Sequence, residues 1–595
     1  MKPTISSLLR TCKIFSSVPD EDIEKLSVYF KKVHLPRHKI LFNQGDLAKS
    51  LYFLVSGKLL ASVKTDKQEE RELAEIFPDE PIGEFTALAH EPRSSTVKAV
   101  EPSVLLKLPS GMFVELCHNY PSVSFEIINS VFNRAKELIK LVSSDGTKKR
   151  HIAVLPAKNK SVLKVITLYL KKQAENNQDV VFLSDTEEIF MNSELSSIQK
   201  HLDTLDDGHR VFVYLFRSLH SVLFKAVFER IEKMYFIADA KSEPMINPLI
   251  IKKITPRKDK IKLELVLLHK NGNRPPRHTF LWLKLASFQL HHHIRIDQPQ
   301  DWQRLLRFLT GKAVGIVLGG GGLRCWAHLG AIMALQKSNI PIDMVGGTSA
   351  GSIVGGFHVL HESSDDPTAL RELAEITRQS ISLKNLTWPS ASIFNGEMYT
   401  NKIKRIFSNT RIENLWLPFF CIASNLSTNK QVVYHTGYLW KAIRTSTAVP
   451  AVFPPVVING KLHIDGGILN NLPVDVMKKF VGHDGRVVAV ELTHKNEDKN
   501  EYNFPPSLPF KETLLAKFKK GYKNYKFPHF IDTFLKSLLA GSSAKQEENS
   551  LLAEILVTPD LSNFGLLNVK KEQENQLVRI GYKATLKAIK RWKNQ

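Results

Sequence analysis

Cysteine is scarce in this 595-residue chain: there are four, Cys12, Cys117, Cys325 and Cys421. They are scattered and never fall into C-x-x-C, which excludes a disulfide framework and offers no zinc-ligand spacing. A reducing, cytoplasmic setting fits. Long apolar runs are missing too. No uncharged stretch approaches the ~18 residues of a membrane span, and Ile5 to Leu9 is broken by serines and too short for a secretory signal. Membrane contact is therefore expected to be peripheral. Acidic residues are outnumbered, 59 against 82 Lys and Arg, for a net charge of +23. That balance suits nucleic acid or an anionic membrane surface. With no zinc finger and no RNA-binding aromatic signature, nucleic acid is set aside and the membrane surface is kept.

The stretch Val345 to Gly356 reads VGGTSAGSIVGG. A lone G-x-S-x-G is ordinary turn punctuation in a chain of this length. Its surroundings say more: Ile342 to Val345 has the pattern of a short buried strand, and Ser352 to Leu360 reads as a helix. Strand, sharp turn and helix form an elbow that would strain Ser349 and require Gly347 and Gly351 to lack a Cβ. Upstream, Ala313 to Leu318 predicts an apolar strand, Gly319 to Gly322 a turn, and Trp326 onward an amphipathic helix. The glycines leave backbone N–H groups bare, which suits a developing oxyanion or a phosphate. A dinucleotide fingerprint fails here, because its third glycine position falls on Arg324 or Cys325. A Walker-type loop fails for want of Gly-Lys-Ser/Thr. Downstream, Lys461 to Ile464 predicts a strand ending at Asp465, followed by two glycines; alone, a structural turn would explain these equally well.

Glycine-rich loop, G-T-S-A-G and D-G-G in that order resemble the patatin-like phospholipases, which use a Ser-Asp dyad without histidine. The resemblance implies that Asp465 accepts the Ser349 proton as the serine attacks an ester carbonyl, and that water then hydrolyses the acyl-enzyme. It implies an oxyanion hole on the N–H groups of Gly320, Gly321 and Gly322, with Arg324 ordering the loop or meeting a lipid phosphate. No catalytic cofactor or metal is implied. The segment Ser446 to Val456 resembles that family's cleft lining, and Asn470 and Pro473 its residues after D-G-G. Cys325 departs from the glycine that many members carry, and is read as a packing thiol. His328, His435 and His463 are read as packed or exposed rather than as a third catalytic member.

From about Ile14 to Leu108, short alternating strands with turns at NQGD, VSGK and PDEPIGE predict a small β-roll or jelly roll. Within it, PIGEFTALAHEPRSSTV resembles the phosphate-binding cassette of cyclic-nucleotide-binding domains. That resemblance implies Glu84 on the ribose 2′-hydroxyl and Arg93 on the cyclic phosphate, with Gly83 and N–H groups near Ser94 and Ser95 completing the cradle. The ligand would be cAMP or cGMP. A helical stretch from Ser124 to Ser144 and a lysine-rich join follow. From His151 to about Gln300, apolar strands alternate with helical patterns, as in an α/β domain. No nucleotide loop or catalytic pattern is visible in it. His291 to His293 cannot share one metal ion, since neighbours on a strand point to opposite faces. Lys511 to Gly541 interleaves lysines with Leu, Phe and Tyr, as an interfacial segment or a packed helix face would.

The expected fold is therefore multidomain: a cyclic-nucleotide-binding-like β-roll over 1–145, an α/β linker domain over 146–305, an α/β patatin-like catalytic core over 306–500, and a basic segment with closing helices over 501–595. This order, with segments such as LELVLLH, HHHIR and ILVTPDLSNFGLL, resembles neuropathy target esterase and its bacterial relatives. The sequence departs from them in having one recognisable nucleotide domain and no transmembrane anchor. The activity implied is hydrolysis of phospholipid or lysophospholipid esters at membrane surfaces, with a cyclic nucleotide as possible regulator. Two other readings stand beside it. One is a catalytically silent lipid- and nucleotide-binding module; the other, a cyclic-nucleotide transcription factor, lacks its DNA-binding half.

Overall fold

The computed structural model describes residues 4–16, 18–64, 70–83, 92–120, 123, 150–174, 180–191, 194–205, 211–257, 260–270, 272, 274–361, 368–388, 390–482, 484–493, 502–509, 533–534, 537–538, 540–566 and 569–594. The chain forms two compact units, Met1–Lys148 and Lys149–Gln595.

In the first unit the alternating pattern folds as two four-stranded sheets, as expected of a β-roll. The strands are β1 (Lys31–Leu35), β2 (Ile40–Phe42), β3 (Ser50–Ser56), β4 (Leu59–Lys64), β5 (Glu70–Ile76), β6 (Pro81–Ile82), β7 (Thr96–Ala99) and β8 (Ser103–Pro109). One sheet runs β1-β8-β3-β6 and the other β2-β7-β4-β5, with antiparallel pairing throughout. Helices Ile5–Thr11 and Asp20–Ser27 bring Phe15 and Phe30 edge-on to each other at 5.6 Å, with Phe15 also against Phe53 of β3 at 5.2 Å. The helical stretch read from Ser124 lies outside the described residues, as does Glu84.

The second unit opens with a parallel sheet. Its strands are β9 (Arg150–Pro156), β10 (Val180–Ser184), β11 (Val211–Leu215), β12 (Lys233–Asp239), β13 (Lys262–His269) and β14 (Leu290–Arg295), in the order β10-β11-β9-β12-β13-β14. Parallel strands need cover on both faces. Here Ala153 and Leu155 of β9 join one core while Ile152 and Val154 join another on the opposite face. The pleat divides the histidine triplet as expected. His292 turns to Glu264 at 2.8 Å, whereas His291 and His293 lie 5.5 Å apart on the other face. The boundary expected at 305/306 is corrected: it would cut the helix Pro299–Leu309, whose Trp302, Leu305 and Leu309 belong to the core of this sheet. Trp302 stacks on Tyr169 at 4.6 Å.

A second sheet follows without a loose linker. It comprises β15 (Val314–Leu318), β16 (Met344–Thr348), β17 (Phe419–Asn425), β18 (Lys430–Tyr434), β19 (Val456–Ile458), β20 (Lys461–Asp465), β21 (Arg486–Val490) and β22 (Ile555–Val557). The order is β19-β20-β17-β16-β15-β21-β22, with β18 on β17. From β17 through β22 the neighbours are parallel; β18 and β20 run antiparallel to β17. Two contacts lock this sheet to the first. Buried His293 donates to the Glu413 carbonyl at 3.0 Å, and Arg304 bridges the carbonyls of His293 and Trp416 at 2.9 and 3.2 Å.

The helix after the glycine loop, Trp326–Lys337, is not amphipathic as expected. Its Trp326, Ala327, Gly330, Ala331, Ile332, Ala334 and Leu335 are buried, because helix Glu574–Lys593 covers the side away from the sheet. The two helices cross so closely that a Cβ on Gly581 would lie 2.0 Å from the Ala327 carbonyl oxygen. In an open helix, Gly→Ala gains about 1 kcal/mol. Here we expect Gly581→Ala to lower the melting temperature instead, and a thermal melt of the variant measures the sign.

Candidate active site

Ser349 occupies the turn between β16 and helix Ala350–Leu360, with φ 52° and ψ −126°. A left-handed φ is costly for a residue with a side chain and persists only where the surroundings fix it. They do so through glycine. A Cβ on Gly351 would stand 2.0 Å from the Leu318 carbonyl oxygen at the end of β15, and one on Gly347 would stand 2.7 Å from the Gly351 carbonyl group. Two hydrogen bonds pin the serine backbone. Its N–H donates to Ser446 Oγ at 2.9 Å, and Ser446 in turn donates to the Ile422 carbonyl at 2.6 Å. The Ser349 carbonyl accepts from Ser352 Oγ at 2.6 Å.

Asp465 ends β20, paired across from Ala423 of β17, while Ile422 pairs with Thr348. This register brings the carboxylate to the elbow. Ser349 Oγ donates to Asp465 Oδ2 at 2.6 Å, and Oδ1 accepts from the Gly467 N–H at 2.7 Å. Burial pushes the Asp465 carboxyl up from 3.8 to about 6, with those two hydrogen bonds opposing the rise.

The glycine loop is held from both sides. Gly319 N–H donates to Val490 O at 3.0 Å and Gly320 N–H to Asn471 O at 3.2 Å. The expected three-donor oxyanion set is therefore corrected: the Gly320 N–H is engaged by a neighbouring carbonyl, and the donors left are those of Gly321 and Gly322, the latter at φ 56°. Arg324 orders the loop. Its Nε donates to Phe564 O at 2.8 Å and Nη1 to Leu492 O at 3.2 Å, and Leu323 N–H reaches Leu566 O at 2.7 Å.

An apolar cavity of about 690 Å³, mouth included, adjoins Ser349. Leu323, Trp326, Leu329, Ile353 and Val354 wall one side, and helix Thr368–Ser380 contributes Leu370, Leu373, Ala374 and Thr377. Tyr399 stacks on Phe453 at 4.8 Å, and both line it with Thr447 and Val449. Thus the segment expected to border a cleft does so at three residues. Asn470 and Pro473 also sit where they shape the site: Asn470 O accepts from Thr348 Oγ1 at 3.0 Å, and Pro473 precedes helix Val474–Val481. Cys325 lines the same cavity, and burial pushes its thiol up to about 12, so it is not a thiolate.

None of the three histidines bonds to Ser349 or Asp465 among the described residues. His328 Nε2 donates to the Gly319 carbonyl at 2.8 Å, and burial brings its pKa down to about 4. His463 lies on the Lys461 carbonyl at 3.2 Å, and His435 against Phe480. Sequence reasoning missed Ser446 and Phe564 as individual residues and gave Asn471 no role. Only Ser446 carried a signal, its place at the start of the cleft segment.

In the first unit, Gly83 and Arg93 come together. Buried Arg93 donates through Nη1 to the Gly83 carbonyl at 2.9 Å and through Nη2 to the Ser50 carbonyl, and lies over the Phe42 ring at 4.2 Å. Ser94 is exposed and Ser95 half-buried. Of the basic segment from Lys511, residues through 532 lie outside the described ones. Among the described residues no helix is long and apolar enough to cross a membrane.

Three family models match this chain in order: a cyclic nucleotide-binding domain over residues 32–120, a Neuropathy Target Esterase family P-loop like domain over 148–312, and a patatin-like phospholipase over 316–478. The P-loop-like match falls on the parallel sheet, where β9 leads through Ala157–Lys160 into helix Ser161–Ala174 without a glycine. Mouse patatin-like phospholipase domain-containing protein 7 is 27% identical over 518 residues, 77% of this chain and 38% of that protein. Human patatin-like phospholipase domain-containing protein 6 is 27% identical over 77% of this chain and 37% of its own length. A lysophospholipase of Yarrowia lipolytica is 24% identical over 91% of this chain and 44% of its own. The chain thus spans about two-fifths of the length of these curated relatives. Among solved structures, the regulatory domain of Toxoplasma gondii PKA with cAMP matches at 27% identity and TM-score 0.17, over 19% of this chain and 42% of that one.

A raised carboxyl pKa is also a statement about stability. The folded Asp465 titrates near 6 and an unfolded aspartate near 3.8, so the folded state binds more protons between these values. The group's stabilising contribution is full below pH ~4 and is lost as the pH rises through ~6, a change on the order of 3 kcal/mol. We expect Asp465→Asn to melt higher than the parent at pH ~8, with the gap closing towards pH ~4. Melts across that range check it.

Proposed function

Given a chain of the neuropathy target esterase type, built around a patatin-like phospholipase domain, we propose that it is a serine esterase cleaving acyl esters of phospholipids or lysophospholipids. The observation that carries this reading is the Ser349 hydroxyl donating at 2.6 Å to a buried carboxylate beside an apolar cavity. The carboxylate does the work of a base because burial has raised its proton affinity to about 6. Ser349 Oγ attacks the ester carbonyl carbon as its proton passes to Asp465 Oδ2. The oxyanion forms against the N–H groups of Gly321 and Gly322, and the acyl chain lies along the Leu323 and Leu370 walls. Collapse breaks the ester C–O bond, and the leaving alkoxide takes the proton back from Asp465. Water, deprotonated by the same carboxylate, then releases the fatty acid. The Yarrowia relative's name favours a lysophospholipid as substrate.

The first unit is proposed to bind cAMP or cGMP around Gly83, Glu84, Arg93, Ser94 and Ser95. Arg93 would exchange a carbonyl partner for the cyclic phosphate. Regulation requires that this ligand favour one activity state over another. A cytoplasmic protein meeting anionic membrane surfaces fits the net charge of +23.

Three outcomes follow. Ser349→Ala loses labelling by a fluorophosphonate probe, and its release of fatty acid from lysophosphatidylcholine falls by at least about 10³; retained release sinks the reading. The kcat/KM of the parent falls about tenfold per pH unit below an apparent pKa near 6, because a protonated Asp465 cannot accept the serine proton; a flat profile between pH ~5 and ~7 counts against that role. In isothermal titration, cAMP or cGMP gives binding heat that Arg93→Ala abolishes. Heatless titrations of the parent with both nucleotides remove the ligand from the proposal.

A further inference from the structure

Most large apolar side chains on the second unit are inside it, which makes Trp388 conspicuous: at 85% it is the most exposed large hydrophobic residue among the described ones, and Leu386 beside it is 49% exposed. Scattered surface leucines need no explanation, but a tryptophan left in water at this exposure does. The backbone around it is built rather than loose. Leu386 pairs antiparallel with Phe394, Thr387 N–H donates to Ile393 O at 3.0 Å, and Asn395 N–H donates to Asn385 O at 3.0 Å. Phe394 is buried and roots the hairpin in the core.

The root is the wall of the cavity. Ile393 N–H donates to Ala451 O at 2.7 Å and Phe394 N–H to Val452 O at 3.2 Å, next to the lining residues Val449 and Phe453. In sequence the hairpin joins helix Thr368–Ser380 to helix Glu397–Phe407, which line the cavity with Ala374 and Tyr399. The finger is therefore fixed to three walls of the space beside Ser349.

We infer that the paired segments 385–388 and 390–395 form a bilayer finger: Trp388 and Leu386 enter the interfacial layer of a phospholipid membrane and seat the cavity next to its substrate. The inference rests on the esterase reading for its purpose, and on exposure and anchoring for its geometry. The chemistry of the tip selects a lipid surface. From Ile381 to Gly396 the chain carries one lysine, Lys384, and no acidic residue, so an indole ring and a leucine stand beside a single exposed cation at headgroup level. Because the hairpin is already hydrogen-bonded, little ordering entropy opposes its insertion. The hairpin's root is bonded to Ala451 and Val452, beside the cavity-lining Val449 and Phe453.

The test uses the full chain and neutral phosphatidylcholine vesicles at high salt, where attraction through the excess lysines is screened. We expect Trp388→Ser to lower vesicle partition in a flotation assay by roughly tenfold or more, with Trp388→Phe restoring most of it and neither change moving the melting temperature. Hydrolysis of vesicle-borne phospholipid should fall by the same factor, while that of a soluble short-chain p-nitrophenyl ester stays within about twofold. Equal partition of parent and Trp388→Ser overturns the inference and leaves a protein partner as the use of the tip. So does a parent that does not partition, or a soluble-ester rate that falls in step with the vesicle rate. Partition is read without turnover, so a parent that floats with vesicles and hydrolyses nothing overturns the esterase proposal and leaves the finger standing.

Discussion

A carboxylate kept out of water against a serine hydroxyl is the constraint around which this molecule is arranged. Asp465 is 5% exposed and accepts one backbone and one side-chain hydrogen bond; without both, a charge at that depth would be prohibitively costly. Delivering it takes a strand, β20, running antiparallel to β17 so that its C-terminal end arrives beside the elbow. Delivering the serine takes a backbone turn that only glycine neighbours tolerate. The Ser446 hydroxyl links the two by touching Ser349 N–H on one side and β17 on the other.

The parts of the site legible in the sequence are those whose physical demand is local. Gly347, Ser349 and Gly351 fall within five residues because one turn needs them all, and Asp465 precedes two glycines because the chain must turn away at once. Short alternating strands likewise announced the N-terminal roll, and five apolar runs the parallel sheet. What escaped depends on partners far along the chain. Nothing near Gly320 says that its N–H will be taken by Asn471, and nothing near Arg324 points to a carbonyl 240 residues later. The helix from Trp326 misled for the same reason. An apolar residue on its outer side looks like a blurred amphipathic pattern until helix Glu574–Lys593 is in place to cover it.

The parallel sheet ahead of the one that carries Ser349 is more than a spacer. Its last strand and helix reach the loop before β17 through His293 and Arg304, and β17 lies between the strands that carry Ser349 and Asp465. Burial pushes the pKa of His293 well below its usual 6.5, so it meets the Glu413 carbonyl as a neutral donor, while Arg304 and the Arg307–Asp343 pair carry charge across the same joint. The N-terminal roll, by contrast, forms a unit of its own.

The bonds from Arg324 to Phe564 and from Leu323 to Leu566 carry a consequence in time. During synthesis the glycine loop, the elbow and the D-G-G turn all emerge long before residues 564–593. Elements fold in the order they appear wherever their contacts are local, but these contacts are not. The Gly319–Gly322 loop therefore lacks these two contacts until well after Ser349 has been made. In the esterase reading, the geometry around Ser349 is complete only once residues 564–566 have been made.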